Sequence, residues 1–158
     1  MHRCLRALAR VFMRVVFPSV RQLPAGQLAA WLADPARRQP LLLDVRLPEE
    51  FAVSHLAGAR RVDFGSRAEE VLASVPPEQP IVCYCAAGFR SSVMARRLAG
   101  AGHKEVFNLE GAIFDWACEG RPLVGAEDRP EREVHPFNWI GRLLLPGKVC
   151  ARVASLRH

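Results

Sequence analysis

The sequence predicts an α/β fold with a mostly parallel central sheet covered by helices on both faces. Leu41 to Val45 and Pro80 to Tyr84 are short, nearly continuous apolar runs, as expected of strands buried on both faces. Helical patterns alternate with such strands through the middle of the chain, which implies crossovers between parallel strands. The composition is globular: 158 residues, 50% hydrophobic and 24% charged, with a mean hydropathy of +0.03. That suits one domain with tails and excludes disordered, collagen-like and coiled-coil chains.

Residues 1–19 read as a basic amphipathic helix. On a 3.6-residue period Arg3, Arg6, Arg10 and Arg14 share an arc of roughly 80°. Leu5, Leu8, Val11, Phe12, Val15 and Val16 lie opposite, and Pro18 stops the pattern. Three placements compete: packing on the chain's own domain, lying on a membrane surface, or serving as an organelle transit peptide. The first is the expectation adopted, with Leu5, Leu8, Phe12 and Val16 docked inward and the arginines outward. Arg10 and Arg14 interrupt the only candidate core of a secretory signal. No apolar run approaches the roughly 20 residues of a membrane span.

Residues 20–125 form the expected domain. Val20 to Leu23 is a short strand, and Pro24 opens a helix carrying Leu28, Trp31 and Leu32 that ends at Asp34-Pro35. After the strand at Leu41 to Val45, Pro48 to Leu56 reads as a helix with Glu49 and Glu50 in its first turn, where the helix dipole favours acids. Ala59 to Phe64 is the next strand and Ser66 to Ser74 the next helix. Pro80 to Tyr84, a helix over Ser91 to Ala101, and a strand over Glu105 to Leu109 complete the alternation.

The tails carry the positive charge. The net charge is +6, yet residues 1–21 hold five arginines without an acid, and residues 134–158 hold Arg142, Lys148, Arg152 and Arg157 without one. The intervening part is mildly acidic, and no aromatic residues interleave with basic ones in a nucleic-acid pattern, so no nucleic-acid partner is expected. The tail 126–158 is too apolar for a solvated linker. Phe137, Trp139, Ile140 and Leu143 to Leu145 are expected to pack on the domain, beside the N-terminal helix.

Chemistry in such folds gathers beyond the carboxyl ends of strands, which singles out Cys85-Ala86-Ala87-Gly88-Phe89-Arg90. Converging loop N–H groups, the N-terminus of the following helix and the Arg90 guanidinium would stabilise a Cys85 thiolate and make it a nucleophile. Gly88 suits a conformation that a Cβ would resist, and Ala86 and Ala87 leave the loop centre open.

The segments LLLDVRLPEEFAVSHLAGAR, IVCYCAAGFRSSVMARRLAGAG and VFNLEGAIFDW together resemble a single-domain rhodanese, a rhodanese-like sulfurtransferase. The matching pieces are Asp44-Val45-Arg46, Glu50-Phe51, His55 to Ala59, the Cys85 to Arg90 loop, and Gly111 to Trp116 with one extra residue. The resemblance implies a three-layer rhodanese-like fold and a thiosulfate sulfurtransferase-like activity. Cys85 would take sulfur from thiosulfate or a persulfide and pass it to a thiol, a protein thiol included, or to cyanide, in two half-reactions. Ala86, Ala87, Gly88, Phe89 and Arg90 would form the substrate and persulfide loop, with Asp44 and Arg46 bracing it. Ala86, Ala87 and Phe89 make that loop less polar than in many family members, leaving room for glutathione, polysulfide or protein persulfides. No cofactor or metal is implied. Related phosphatases and arsenate reductases use a loop one residue longer, which favours sulfur chemistry here, and a non-catalytic interaction module is the remaining rival.

The other cysteines have plainer expectations: Cys83 and Cys118 as core, Cys4 and Cys150 as tail thiols able to accept or resolve a persulfide. His55 is expected to pack or cap. Five cysteines suit reduced thiols in a cytoplasmic compartment better than a disulfide scaffold. Peripheral membrane and organelle-matrix locations remain as alternatives.

Overall fold

The computed structural model describes residues 2–151; Arg152, Arg157 and the side chains of Arg3, Trp139 and Ile140 named above lie outside that description. Five parallel strands form the central sheet: β1 (Arg21–Leu23), β2 (Leu41–Asp44), β3 (Arg60–Arg61), β4 (Ile81–Tyr84) and β5 (Val106–Leu109), in the order β1-β5-β4-β2-β3. The apolar runs at β2 and β4 pair centrally, Leu41 beside Ile81 and Asp44 beside Tyr84. Alternate side chains leave these strands toward opposite faces. Leu42, Val82 and Tyr84 join a core with Leu28 and Trp31 of α2 (Ala25–Ala33) and Ile113, Phe114 and Trp116 of α6 (Ala112–Cys118). Leu43, Ile81 and Cys83 join the other core, with Val71 of α4 (Ala68–Leu72) and Met94 and Leu98 of α5 (Phe89–Gly100). The rhodanese-like three-layer expectation holds.

Element limits shift for local reasons. Pro24 sits just outside α2 as its cap, and α3 spans only Pro48–Val53 because Ser54 is extended. The strand expected over Ala59 to Phe64 contracts to its two residues beside β2. Helix α6 had no counterpart in the sequence reading. It starts from Gly111 at φ +71, where a Cβ would collide with the Asp115 side chain.

Beyond α6 the chain forms a two-stranded antiparallel ribbon, β6 (Leu123–Val124) with β7 (Pro130–Glu131). It then returns through the short helix α7 (Trp139–Leu144). Val134 bridges Cys150, and Val134, Leu145 and Val149 are buried in the α2–α6 core.

The N-terminal helix α1 (His2–Val16) corrects the sequence reading: it lies on the domain by its arginine side. Arg6 Nε meets Asp115 Oδ1 at 2.5 Å, Arg10 Nη1 meets Asp115 Oδ2 at 2.6 Å, and Arg14 Nε meets Glu110 Oε1 at 2.6 Å. Arg6 also donates to the Leu144 carbonyl at the end of α7, where the helix dipole favours a cation. Leu5, Leu8, Val11, Phe12, Val15 and Val16, expected in part to dock inward, all face outward. The domain offers carboxylates at this edge, and the small Ala9 lets the helix approach Ala87 and Phe114 across a narrow crevice.

Asp115→Ala should therefore loosen α1. It leaves two guanidiniums facing a site that has lost its carboxylate, and a cost of about 1–3 kcal/mol is expected. Thermal unfolding reads the stability, and limited trypsin digestion should cut within residues 2–16 faster than in the parent. Unchanged cleavage and melting would show that the ion pairs do not hold the helix.

Candidate functional site

Cys85 follows β4 directly and is 2% exposed. Gly88 N–H donates to its Sγ at 3.1 Å, and the one proton of the Ser91 hydroxyl is shared between the sulfur at 3.4 Å and the Gly88 carbonyl at 3.2 Å. Of the loop N–H groups expected to converge on the sulfur, Gly88's is the one that bonds it. The second donor is Ser91, a residue the sequence reading passed over although it lies in the first turn of the following helix. Gly88 caps α5 at φ +112, a value that strains any residue with a Cβ. The helix starts two residues earlier than expected, so Phe89 and Arg90 belong to its first turn. Ala86 and Ala87 remain in the loop.

The loop is pinned from beneath. Ile113 N–H donates to the Cys85 carbonyl at 3.1 Å and Phe114 N–H to the Ala86 carbonyl at 3.2 Å. These N–H groups belong to the first turn of α6 and have no partner inside their own helix. The Ser92 hydroxyl and N–H both donate to the Gly88 carbonyl, at 2.7 and 3.1 Å, fixing the other end.

Arg90, expected to lend its charge to the loop, bonds the fully buried Glu50 through both terminal nitrogens, Nη1 to Oε2 at 2.9 Å and Nη2 to Oε1 at 3.0 Å. Glu50 Oε2 also accepts from Leu47 N–H at the start of α3. Burial works against the Arg90 charge, while the Glu50 bonds and the nearby Cys85 raise its pKa above the ordinary arginine value. Glu50 is thus a site residue that the sequence shows only as a first-turn helix acid and as part of a motif.

Asp44 and Arg46 form a second, completely buried pair. Nε and Nη2 of Arg46 bond both Asp44 oxygens, at 2.9 and 2.6 Å for the two closest contacts, and Nη2 also donates to the Ser54 carbonyl at 2.6 Å. Val45 N–H donates to the Tyr84 carbonyl next to Cys85. The pair thus fixes the strand end beside the loop without touching the sulfur. Burial pushes the Tyr84 hydroxyl and the Cys83 thiol strongly up, and the Tyr84 hydroxyl accepts the Leu56 N–H at 3.1 Å. Cys118 and Cys150 are half-buried and also raised by burial, and Cys4 is exposed. His55 stacks on Phe51 with ring centroids 3.8 Å apart. Among the described residues no cluster of His, Cys, Asp or Glu is arranged to hold a metal ion.

Apolar rings border the loop. Phe89 meets Phe17 edge-on at 5.5 Å, and Phe137 lies over the Arg90 guanidinium at 4.5 Å. Phe137 adopts φ +64, a strained value for a side chain of its size, costing about 1–3 kcal/mol. Its N–H donates to Nδ1 of the buried His135 at 3.0 Å.

The sequence model described as "Rhodanese-like domain" matches residues 25–119. A sulfurtransferase of Allochromatium vinosum is 31% identical over 108 residues, covering 68% of this chain and 98% of that protein. A tRNA uridine(34) hydroxylase of Protochlamydia amoebophila is 33% identical over 115 residues; the match covers 68% of this chain but only 32% of the hydroxylase. Among solved structures, a thiosulfate sulfurtransferase from Pseudomonas aeruginosa superposes with a TM-score of 0.64 at 22% identity, covering 78% of this chain and 23% of that one. This last likeness concerns the fold.

His135 supplies a pH test of the strap over Arg90. Burial lowers its pKa below the ordinary histidine value, against the pull of Glu50 and Glu49. The unfolded chain then binds the proton more readily than the folded one, so stability is full above the unfolded pKa of about 6.5 and falls as pH drops below it. His135→Asn, which keeps an acceptor for Phe137 N–H, should flatten that acid-side slope in denaturant titrations. An identical slope in the variant would remove His135 from the linkage.

Proposed function

The chain belongs to the rhodanese-like domain family, and from that premise we propose that it is a sulfurtransferase working through a persulfide on Cys85. The reading rests on one observation above all: a buried Cys85 sulfur accepts the Gly88 N–H and lies within reach of the Ser91 hydroxyl at the start of α5, with four residues between Cys85 and Arg90. Relatives named sulfurtransferase support sulfur transfer of the rhodanese type.

In the first half-reaction the Cys85 thiolate attacks the outer sulfur of the donor. The new S–S bond forms as the donor's own sulfur bond breaks, and the leaving thiolate, or sulfite from thiosulfate, departs with the electron pair. In the second, an acceptor thiolate or cyanide attacks the outer persulfide sulfur and releases the Cys85 thiolate. The Gly88 and Ser91 donors stabilise negative charge on sulfur in both steps.

The donor is an organic or protein persulfide rather than thiosulfate. Arg90 pairs through both terminal nitrogens with the buried Glu50, whose charge offsets its own, so the loop draws a free sulfonate less than an unpaired guanidinium would, and the exposed Phe89 and Phe137 rings offer contact to the carbon part of a larger carrier. The free thiols fit a reducing, cytoplasm-like compartment.

Incubation with glutathione persulfide should add one sulfur to Cys85 by intact and peptide mass spectrometry. Cys85→Ser should lose both the adduct and turnover, whereas Cys83→Ser should keep turnover within about threefold. Full turnover by the Cys85 variant overturns the reading. Glutathione persulfide should exceed thiosulfate in kcat/KM by at least about tenfold, and Glu50→Gln should narrow that gap by releasing Arg90. A preference for thiosulfate would refute the donor class while leaving sulfur transfer intact.

A further inference from the structure

Arg6, Arg10 and Arg14 of α1 pair with Asp115 and Glu110, and the apolar side of the helix is left bare. Leu8 is 66% exposed, Val11 59%, Phe12 55% and Val15 72%, flanked by Leu5 and Val16. These side chains run along a helix about 22 Å long. Together they present on the order of 500 Å² of apolar surface, the upper end of what monomeric proteins leave uncovered. Cys4, also exposed, falls within the same arc.

Charge marks the surroundings of this face. The sequence contains no acidic residue before Asp34. Arg96 is exposed, with its guanidinium 5.4 Å from the centre of the Phe17 ring just beyond α1. Arg142 is exposed on α7, which packs against α1. The two acids nearest the helix, Asp115 and Glu110, lie beneath it and are already paired. A bare apolar stripe with cations beside it and no acid on it is complementary to anionic lipid: acyl chains receive the side chains and headgroups receive the arginines.

We propose that α1 is a peripheral membrane anchor that lays its outer face on an anionic bilayer surface. Among the described residues no helix is long and apolar enough to cross a membrane, so the helix lies in the interface plane. A second copy of the chain suits the face less well, because a stable dimer buries about 800 Å² per partner, more than this stripe provides. Phe17 and Phe89 join the end of α1 to the cysteine loop, so docking brings that loop to the lipid boundary. The anchoring does not depend on sulfur chemistry.

The test uses the full chain and two kinds of vesicle, pure phosphatidylcholine and an equal mixture with phosphatidylglycerol. The protein should co-sediment with the mixed vesicles at low salt and detach as salt rises. Combining Leu8→Asp, Phe12→Asp and Val15→Asp should cut the bound fraction at least about tenfold. These side chains point into solvent, so the variant should melt within a few degrees of the parent. Cys85→Ser should bind as the parent does. Without any mutation, Cys4 should react several-fold more slowly with a water-soluble maleimide when mixed vesicles are present. A parent that stays in the supernatant with both vesicle types overturns the proposal. So does vesicle binding unaffected by the triple substitution, or a dimer in sedimentation velocity that the triple substitution disperses.

Discussion

The Asp115 carboxylate holds three parts of the molecule at one point. Its residue lies in α6, whose first N–H groups carry the Cys85 and Ala86 carbonyls. Its two oxygens receive Arg6 and Arg10 from α1, and Arg6 continues to the end of α7. Gly111 is required beneath it because any Cβ there would strike the carboxylate. The cysteine loop, the N-terminal helix and the C-terminal return thus share one electrostatic joint. Removing a carboxylate from two partly buried cations costs more than an exposed ion pair would, because the cations stay behind.

Two further ion pairs shape the site, and they do different work. Asp44–Arg46 is closed to solvent and bonds a neighbouring carbonyl, so it sets the end of β2 against β4 and leaves the sulfur alone. Glu50–Arg90 reaches the loop itself. The buried Glu50 holds the start of α3 and the first turn of α5 together, and its charge balances a guanidinium that would otherwise attract anions toward Cys85. The electrostatics of the loop are therefore set by a pair, not by the arginine alone.

The inner strands and the cysteine loop were legible because their signals are local. Continuous apolar runs mark β2 and β4, since strands covered on both faces need no polar side. The loop's identity follows from Cys85, Gly88 and Arg90 at fixed spacing. Ser91 and Glu50 were not legible as site residues, because their roles depend on where α5 begins and on α3 reaching across to it. Helix α6 was missed for a physical reason. It has about two turns, rich in aromatic and branched residues, and starts at a left-handed glycine, so its stability comes from packing rather than propensity. The two-residue strands β6 and β7 are too short to carry a period at all.

The N-terminal helix shows where pattern stops informing. Periodicity establishes that a helix has two unlike sides, but it does not say which side the domain will receive. Burial of Leu8, Phe12 and Val15 inward would bring roughly 1.5–3 kcal/mol each, so an apolar docking is the natural expectation. It would also turn Arg6 and Arg10 to solvent and leave Asp115 partly buried without a cation, a penalty of comparable size. The domain surface decides the matter, because at this edge it presents two carboxylates and the end of α7. A helix held by its charges keeps its apolar side available, and that availability is a property of the folded chain rather than a defect in its packing.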